Sequence, residues 1–444
     1  MHRHRRRSLT ALSAVAVVAV LAAVGCSSSS SSSSSSVVPP ASSASSPAQG
    51  AGTGGQGAQS VTNYLTYVGG KAGPASSSES PVYIGFVNQQ GGPTSVGPLA
   101  TNGAQMAVNY ANADLGGVDG HPIKLVTCFI ASAEEEGTTC AQKFLADKNI
   151  DVVNMGGVAI GVQSFYSTLH GALPVIDGVA ATTIDATQPN AVILFGDVTH
   201  VLGPFGTYAS QVLHAKTAAL VYPSDNAGIA LGAAAVKAAL IQAGVSVKAV
   251  GYSESQTDLT SVLTAAGAQT ADMVIPYTDS AGCVNVAKSL IQLGITNAKK
   301  IVSAPLCLNG QVAAGLGGDF PIWTYAIASS LFGDPTDPGM PAYEAVAKQF
   351  STPADEPDPW NIVNFGVMLT TIKVMNEVGY ANLTPQAILA KAKAFTGPQA
   401  LGAPTLSCGK YANAPGVCND RAQFFTYEGK NKWTKAATWL QPPS

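Results

Sequence analysis

The chain has 444 residues, more than one ordinary domain needs and enough for two with substantial cores. Only 11% of residues are charged and the formal net charge is −3, which argues against a polyelectrolyte partner. The first 25 residues hold Arg3, Arg5, Arg6 and Arg7 and no acid; without them 19 basic residues face 26 acidic ones, a balance of −7 that leaves no electrostatic footprint for nucleic acid.

Residues 1–25 read as an export signal. A basic region ending at Arg7 precedes an apolar run from Leu9 to Val24, short for a membrane span and ending in small residues. The run closes with AAVGC, which resembles the bacterial lipobox. That resemblance implies lipidation of Cys26, which becomes the new amino terminus, and a lipid anchor in the membrane. The alternative is an ordinary cleavable signal with an incidental cysteine. Residues 26–80 are a tether and lead-in: the serine run from Ser27 to Ser36 and the glycines and alanines after it cannot bury enough apolar surface to offset their ordering entropy. Tyr64, Tyr67 and Val68 are expected to pack on the body. No later stretch is long and apolar enough to span a bilayer.

From residue 81 strand-like and helix-like pieces alternate. Strands are predicted at 82–87, 122–127, 151–154, 173–177 and 192–195, with helices near 101–114, 134–147, 160–170 and 182–187. A second series begins after Gly203, with strands at 218–222, 246–251, 272–276 and 300–303 and helices near 226–243, 257–266 and 281–293. Beyond residue 323 comes a strand-like WTYAIAS, a stretch at 334–359 rich in proline and aspartate, helices near 360–379 and 384–395, and a strand-like AQFFTY at 422–427. Two series of this kind predict an α/β protein of two doubly wound, Rossmann-like lobes. The tail is too small for a third domain, so it is expected to complete the two lobes: 81–203 with about 325–418 in the first, and 204–324 with about 419–444 in the second.

Six cysteines remain after Cys26, an even number in an exported chain. Six allow 15 connectivities. Short loops favour sequential pairing, Cys128 with Cys140, Cys283 with Cys307 and Cys408 with Cys418, and buried free thiols are the alternative. No CxxC, GxGxxG after a strand, GxxxxGK[ST], HExxH or GxSxG occurs, so no zinc ribbon, dinucleotide site, P-loop, zinc protease or hydrolase elbow is indicated. No cofactor and no metal is expected. His121, His170, His200 and His214 do not pair at metal-ligand spacing.

What remains is a set of loops at strand ends. NQQGGPTS, residues 88–95, offers Gln89, Gln90 and Thr94 as donors and acceptors for a polar solute, unless it is simply a solvated loop. MGGVAIG, from Met155, has glycines that let backbone N–H groups approach a ligand, or that serve tight strand–helix packing. DGVAATT, residues 177–183, ends its strand in small and hydroxyl residues. In PYTDSAGC, residues 276–283, Tyr277 is placed to cover a ligand and Asp279 to receive a cation, although Asp279 or Ser280 also suits a helix cap.

IGFVNQQGGP, NGAQMAVNYANADLGGVDGHPIKLV and LVYPSDNAGIALG together resemble the type I periplasmic binding proteins of the leucine/isoleucine/valine-binding family, over about 81–440. The serine tract and low charge look actinobacterial. The resemblance implies lobes joined by three crossovers as a hinge, closing on a solute. It implies an extracytoplasmic, lipid-anchored, monomeric substrate-binding protein that serves an ABC permease and is not an enzyme. A sensor of the same fold that feeds a receptor is the alternative, and a hydrolytic enzyme on a doubly wound fold a remote one. By matching segments, Gly157 and Val158 fall where the family holds a ligand carboxylate. Ala180, Ala181 and Thr182 fall where it uses a carbonyl and a threonine, Tyr277 beside a family tyrosine, and Asn226 in a loop that often carries an aromatic. The chain departs from the family at Leu306, where amino-acid binders place an acid for the ammonium. An ammonium buried without an acceptor is costly, so either Asp279 replaces the missing acid or the solute is neutral.

Overall fold

The computed structural model describes residues 60–92 and 97–444. The export signal, Cys26, the serine tract and Thr94 lie outside the described residues. In the lead-in, Asn63 caps a short helix, α1 (Tyr64–Val68), whose Tyr64, Tyr67 and Val68 are buried. The first series then runs β1 (Val82–Gln89), α2 (Leu99–Asp114), β2 (Ile123–Ile130), α3 (Glu134–Ala146), β3 (Ile150–Met155), α4 (Val162–Leu169), β4 (Val175–Ala180), α5 (Thr183–Thr187) and β5 (Ala191–Asp197). All its strands are parallel, in the order β2-β1-β3-β4-β5. Strand direction of travel across the sheet reverses between β1 and β3, the kind of switch point beside which open α/β sheets bind ligands.

The second series comprises α6 (Pro204–Thr207) with a π turn at Tyr208–Val212, β6 (Thr217–Pro223), α7 (Ala227–Gln242), β7 (Ser246–Tyr252), α8 (Thr260–Ala266), β8 (Met273–Pro276), α9 (Ser280–Gln292), β9 (Val302–Ser303), α10 (Gly310–Gly315) and β10 (Thr324–Ile327). Helices α11 (Met340–Phe350), α12 (Pro359–Val378) and α13 (Pro385–Lys393) follow, then β11 (Ala422–Gly429) and β12 (Lys432–Leu440). The strands form the rows β7-β6-β8 and β9-β10-β11-β12, joined by a parallel bridge from Val274 to Ile301. The second switch point therefore lies between β6 and β8. Strands β11 and β12 close the sheet in antiparallel fashion.

The first lobe is cored by Ile84, Phe86, Met106, Ile176, Leu194 and Phe365, the second by Leu220, Val221, Val274, Ile275, Tyr325 and Phe424. Helix α12 is apolar almost all round, as a helix buried inside a domain must be. Pro359 opens it, and Asp358 accepts the Trp360 N–H at 2.8 Å. The cysteines pair in sequence order: Cys128–Cys140, Cys283–Cys307 and Cys408–Cys418.

Two features correct the expectation for the tail. The proline- and aspartate-rich stretch 334–359 contains α11, started by Pro341, with Met340, Tyr343, Val346 and Ala347 buried along one stripe. Residues 432–440, not anticipated as a strand, pair with β11. Strand β10 sits between β9 and β11, so the chain returns to the first lobe after Ile327.

Candidate functional site

The crossovers fix which edge of each sheet faces the other. The first leaves the carboxyl end of β5 at Asp197, and the second leaves the carboxyl end of β10 at Ile327. The third runs parallel beside β5, through the Ile193–Val417 bridge, and feeds β11, whose Gln423 pairs with Ile327. All three thus attach at carboxyl ends, and the loops at both switch points lie on that side of their sheets.

In the first lobe, Asn88 at the end of β1 organises its loop. Its amide donates to the Gly97 carbonyl and the Thr101 hydroxyl, each at 3.2 Å, and Thr101 donates to Gln90 Oε1 at 2.8 Å. Gln89 is buried and accepts the Ala159 N–H at 2.8 Å and the Ile160 N–H at 3.3 Å. Its backbone N–H donates to the Gly157 carbonyl. Gln89 thereby ties down the loop after β3 through the N–H groups of Ala159 and Ile160 and the carbonyl of Gly157. Val158 and Ala180 are each 1% exposed and pack in the core, so their side chains do not line a cleft. Ala181 is half-buried. Thr182 caps α5: its hydroxyl accepts the Ile184 N–H and donates to Asp185 at 2.7 Å.

In the second lobe, Asn226 caps α7 through the Ile229 N–H and donates to Glu254 Oε1 at 3.1 Å. Asp279 caps α9 by accepting the Gly282 N–H at 2.8 Å, the alternative its sequence position suggested, and its carboxylate remains half-exposed. Tyr277 does not cover the cleft. It is 5% exposed and lies over α7, where a Cβ on Gly232 would come within 2.1 Å of the Tyr277 hydroxyl. Tyr252 takes the place nearer Asp279. Its hydroxyl lies 2.6 Å from that of Thr278, and burial pushes its pKa up to about 12. Leu306 is 40% exposed in a 3-10 turn after β9.

Glu254 at the end of β7 was not singled out from the sequence, because only the fold brings the end of β7 beside that of β8. The Asn226 amide favours its carboxylate, but the hydrogen bond its protonated form makes to Asp279, its partial burial and the charge of Asp279 outweigh this and raise its pKa. Asp225 lies in the same loop and accepts the Glu254 N–H at 2.9 Å; that contact and the Ser253 hydroxyl lower its own pKa. The ends of β6, β7 and β8 therefore present three carboxylates, none of them in an ion pair among the described residues. Among those residues no group of three or more His, Cys, Asp or Glu side chains is arranged to hold a metal, and no helix is long and apolar enough to cross a membrane.

Solved structures share this architecture at low sequence identity. A leucine binding protein from Thermotoga maritima superposes with a TM-score of 0.60 at 14% identity, over 82% of this chain and 99% of its own. An ABC-transporter solute binding protein from R. palustris, in complex with 4-hydroxybenzoate, gives 0.62 at 16%, over 82% and 98%. A fatty acid ABC transporter substrate-binding protein from Thermomonospora curvata gives 0.59 at 15%, over 84% and 95%. No curated protein sequence matches the chain. The family model for periplasmic binding proteins matches residues 81–416, about three quarters of the sequence, and the chain belongs to that family.

Proposed function

We propose that this protein captures a small polar solute, an amino acid or related compound, between its two switch points and delivers it to an ABC permease without transforming it. The observation that carries the reading is the attachment of all three crossovers at the carboxyl ends of both sheets, which sets the two groups of strand-end loops on the hinge side. The solute's charged end is assigned to the second lobe. Glu254 and Asp279 lie together, and neither is in an ion pair among the described residues; a ligand ammonium would neutralise both and supply the charge pairing that Leu306 cannot. The relatives named above bind leucine, 4-hydroxybenzoate and fatty acid, so the shared fold is compatible with several solute chemistries and the carboxylates make the choice here.

Thermal shift against amino acids, amines and aromatic or aliphatic acids tests this. At a hundred times its dissociation constant a solute adds about 2.7 kcal/mol. The expected hits carry an ammonium, and Glu254→Gln/Asp279→Asn, in which the asparagine still caps α9, should weaken them at least tenfold. Hits confined to acids that bind the double variant equally well would overturn the ammonium assignment and leave solute capture standing. No hit from any class would overturn capture itself.

The reading includes a monomeric body held at the outer face of the cytoplasmic membrane through lipid on Cys26. Cys26→Ser should move the protein from the membrane fraction to the soluble one; retention in the membrane fraction would count against lipid anchoring.

A further inference from the structure

A hollow of about 260 Å³ lies at the third crossover, and no residue of the switch-point loops lines it. Its walls come from both lobes: Thr405, Ser407, Lys410 and Tyr411 from the loop before the crossover, Arg421 from the crossover, and Gln441 from the end of β12. Arg421 is the one arginine in the sequence beyond Arg7. Its backbone is clamped by Asn419, whose Oδ1 accepts the Arg421 N–H at 3.0 Å and whose amide donates to the Arg421 and Phe195 carbonyls, each at 3.1 Å. The residue is half-buried, and its guanidinium makes no ion pair or hydrogen bond among the described residues.

The other charges in the hollow are already matched. Asp420 is held by Lys410 and by the Tyr411 hydroxyl at 2.6 Å. Tyr411 is tilted against His200, 4.0 Å between ring centroids, and His200 is engaged by the buried Asp197 at 2.9 Å. The net charge of Lys410, Asp420 and Arg421 is therefore positive, in a protein whose balance is negative. Around it stand Thr405, Ser407 and Gln441. Arg421 lines a cavity of this size with its guanidinium unpaired among the described residues, and a guanidinium fork suits a planar carboxylate or a phosphate, which it can bind through two parallel hydrogen bonds.

We infer that this hollow is a second binding site, specific for a small oxyanion (a carboxylate or phosphate) held by Arg421 and touching both lobes. It is separate from the switch-point loops and does not depend on which solute they take.

That Arg421 is the one arginine beyond Arg7 makes the test direct. The protein is treated with phenylglyoxal at constant ionic strength, in chloride alone, with inorganic phosphate, or with succinate, and the adduct on the peptide containing Arg421 is followed by mass spectrometry. Phosphate, succinate or both should slow modification of Arg421 at least fivefold, saturably, and the pattern identifies the preferred anion. Equal rates in all three buffers overturn the site. Arg421→Gln provides the second reading. The anion that protects the native protein should raise its melting temperature and leave that of the variant unmoved; an equal rise in both would place the anion elsewhere and also overturn the assignment.

Discussion

Asp177 on β4 and Asp185 on α5 are buried side by side beneath the loop that ends β4, 1% and 0% exposed, with Tyr166 against them. Neither Asp177 oxygen has a hydrogen-bond partner among the described residues. Burial, then the charge of Asp185, drives the Asp177 pKa well up; burial, partly offset by the Thr182 hydroxyl, pushes Asp185 up to about 6. The sign follows from linkage. As pH rises past the unfolded carboxylate value near 4, the unfolded chain releases these protons while the folded chain keeps them, so stability falls. The part due to Asp185 is lost between about pH 4 and about 6, and that due to Asp177 continues above. Asp185→Asn should therefore show a flatter urea-denaturation midpoint between pH 4.5 and 7.5 than the native protein, with the gap growing toward pH 7.5 to at most roughly 3 kcal/mol. Parallel pH profiles for the two proteins would contradict this. Two other side chains show what can be read residue by residue. Asp279 was legible because a helix cap lies next to its own helix in the sequence. Gln89 was not, because the donors it satisfies are about 70 residues away and only the β1–β3 pairing brings them near.

At the scale of elements, one close contact is helix on helix. Gly103 in α2 faces the backbone of α12, where an added Cβ would come within 2.2 Å of the Asn361 carbonyl oxygen. Gly103→Ala gains up to about 1 kcal/mol of helix propensity, but the obstruction is backbone and cannot rotate away. Overpacking of about 1–3 kcal/mol wins, so the urea midpoint should fall; a rise would mean that α2 and α12 can move apart at little cost. The disulfide between Cys283 and Cys307 ties α9 to the turn after β9, closing a loop with a sequence separation of 24. Replacing both cysteines by serine should cost about 3 kcal/mol by the loop-entropy estimate, read by the same denaturation. The regular βα units were visible in the sequence because each carries its own period and its own punctuation, as Asn226 and Gly244 do for α7. Helix α11 was hidden because Pro341, which starts it, and the prolines and aspartates around it read as breakers. Strand β12 was hidden because it is the outermost strand: it alternates exposed and half-buried residues and has no fully buried run.

The whole molecule is held together by chain paths that the sequence could suggest only through its two series of units. Which strand edges carry the crossovers is a matter of topology, fixed by pairings such as Ile327 with Gln423 and Ile193 with Val417, between residues far apart in sequence. With every connection on the carboxyl side, rotation about the crossovers opens or closes the gap between the two sets of strand-end loops, the geometry of hinge closure. A ligand can drive that rotation only if it binds the closed form better than the open one, and contacts to loops of both lobes supply the difference. Small-angle scattering on the body should therefore show the radius of gyration falling when a solute found by thermal shift is added. Glu254→Gln/Asp279→Asn, which removes the second lobe's hold, should leave the radius unchanged at the solute concentration that saturates the native protein. Phosphate or succinate at the Arg421 hollow provides the control. If either of those anions alone compacts the protein as fully as the solute does, closure is governed at the third crossover and not at the switch points. If the solute binds tightly and the radius does not change, the lobes are already together without it, and the crossovers act as a rigid brace.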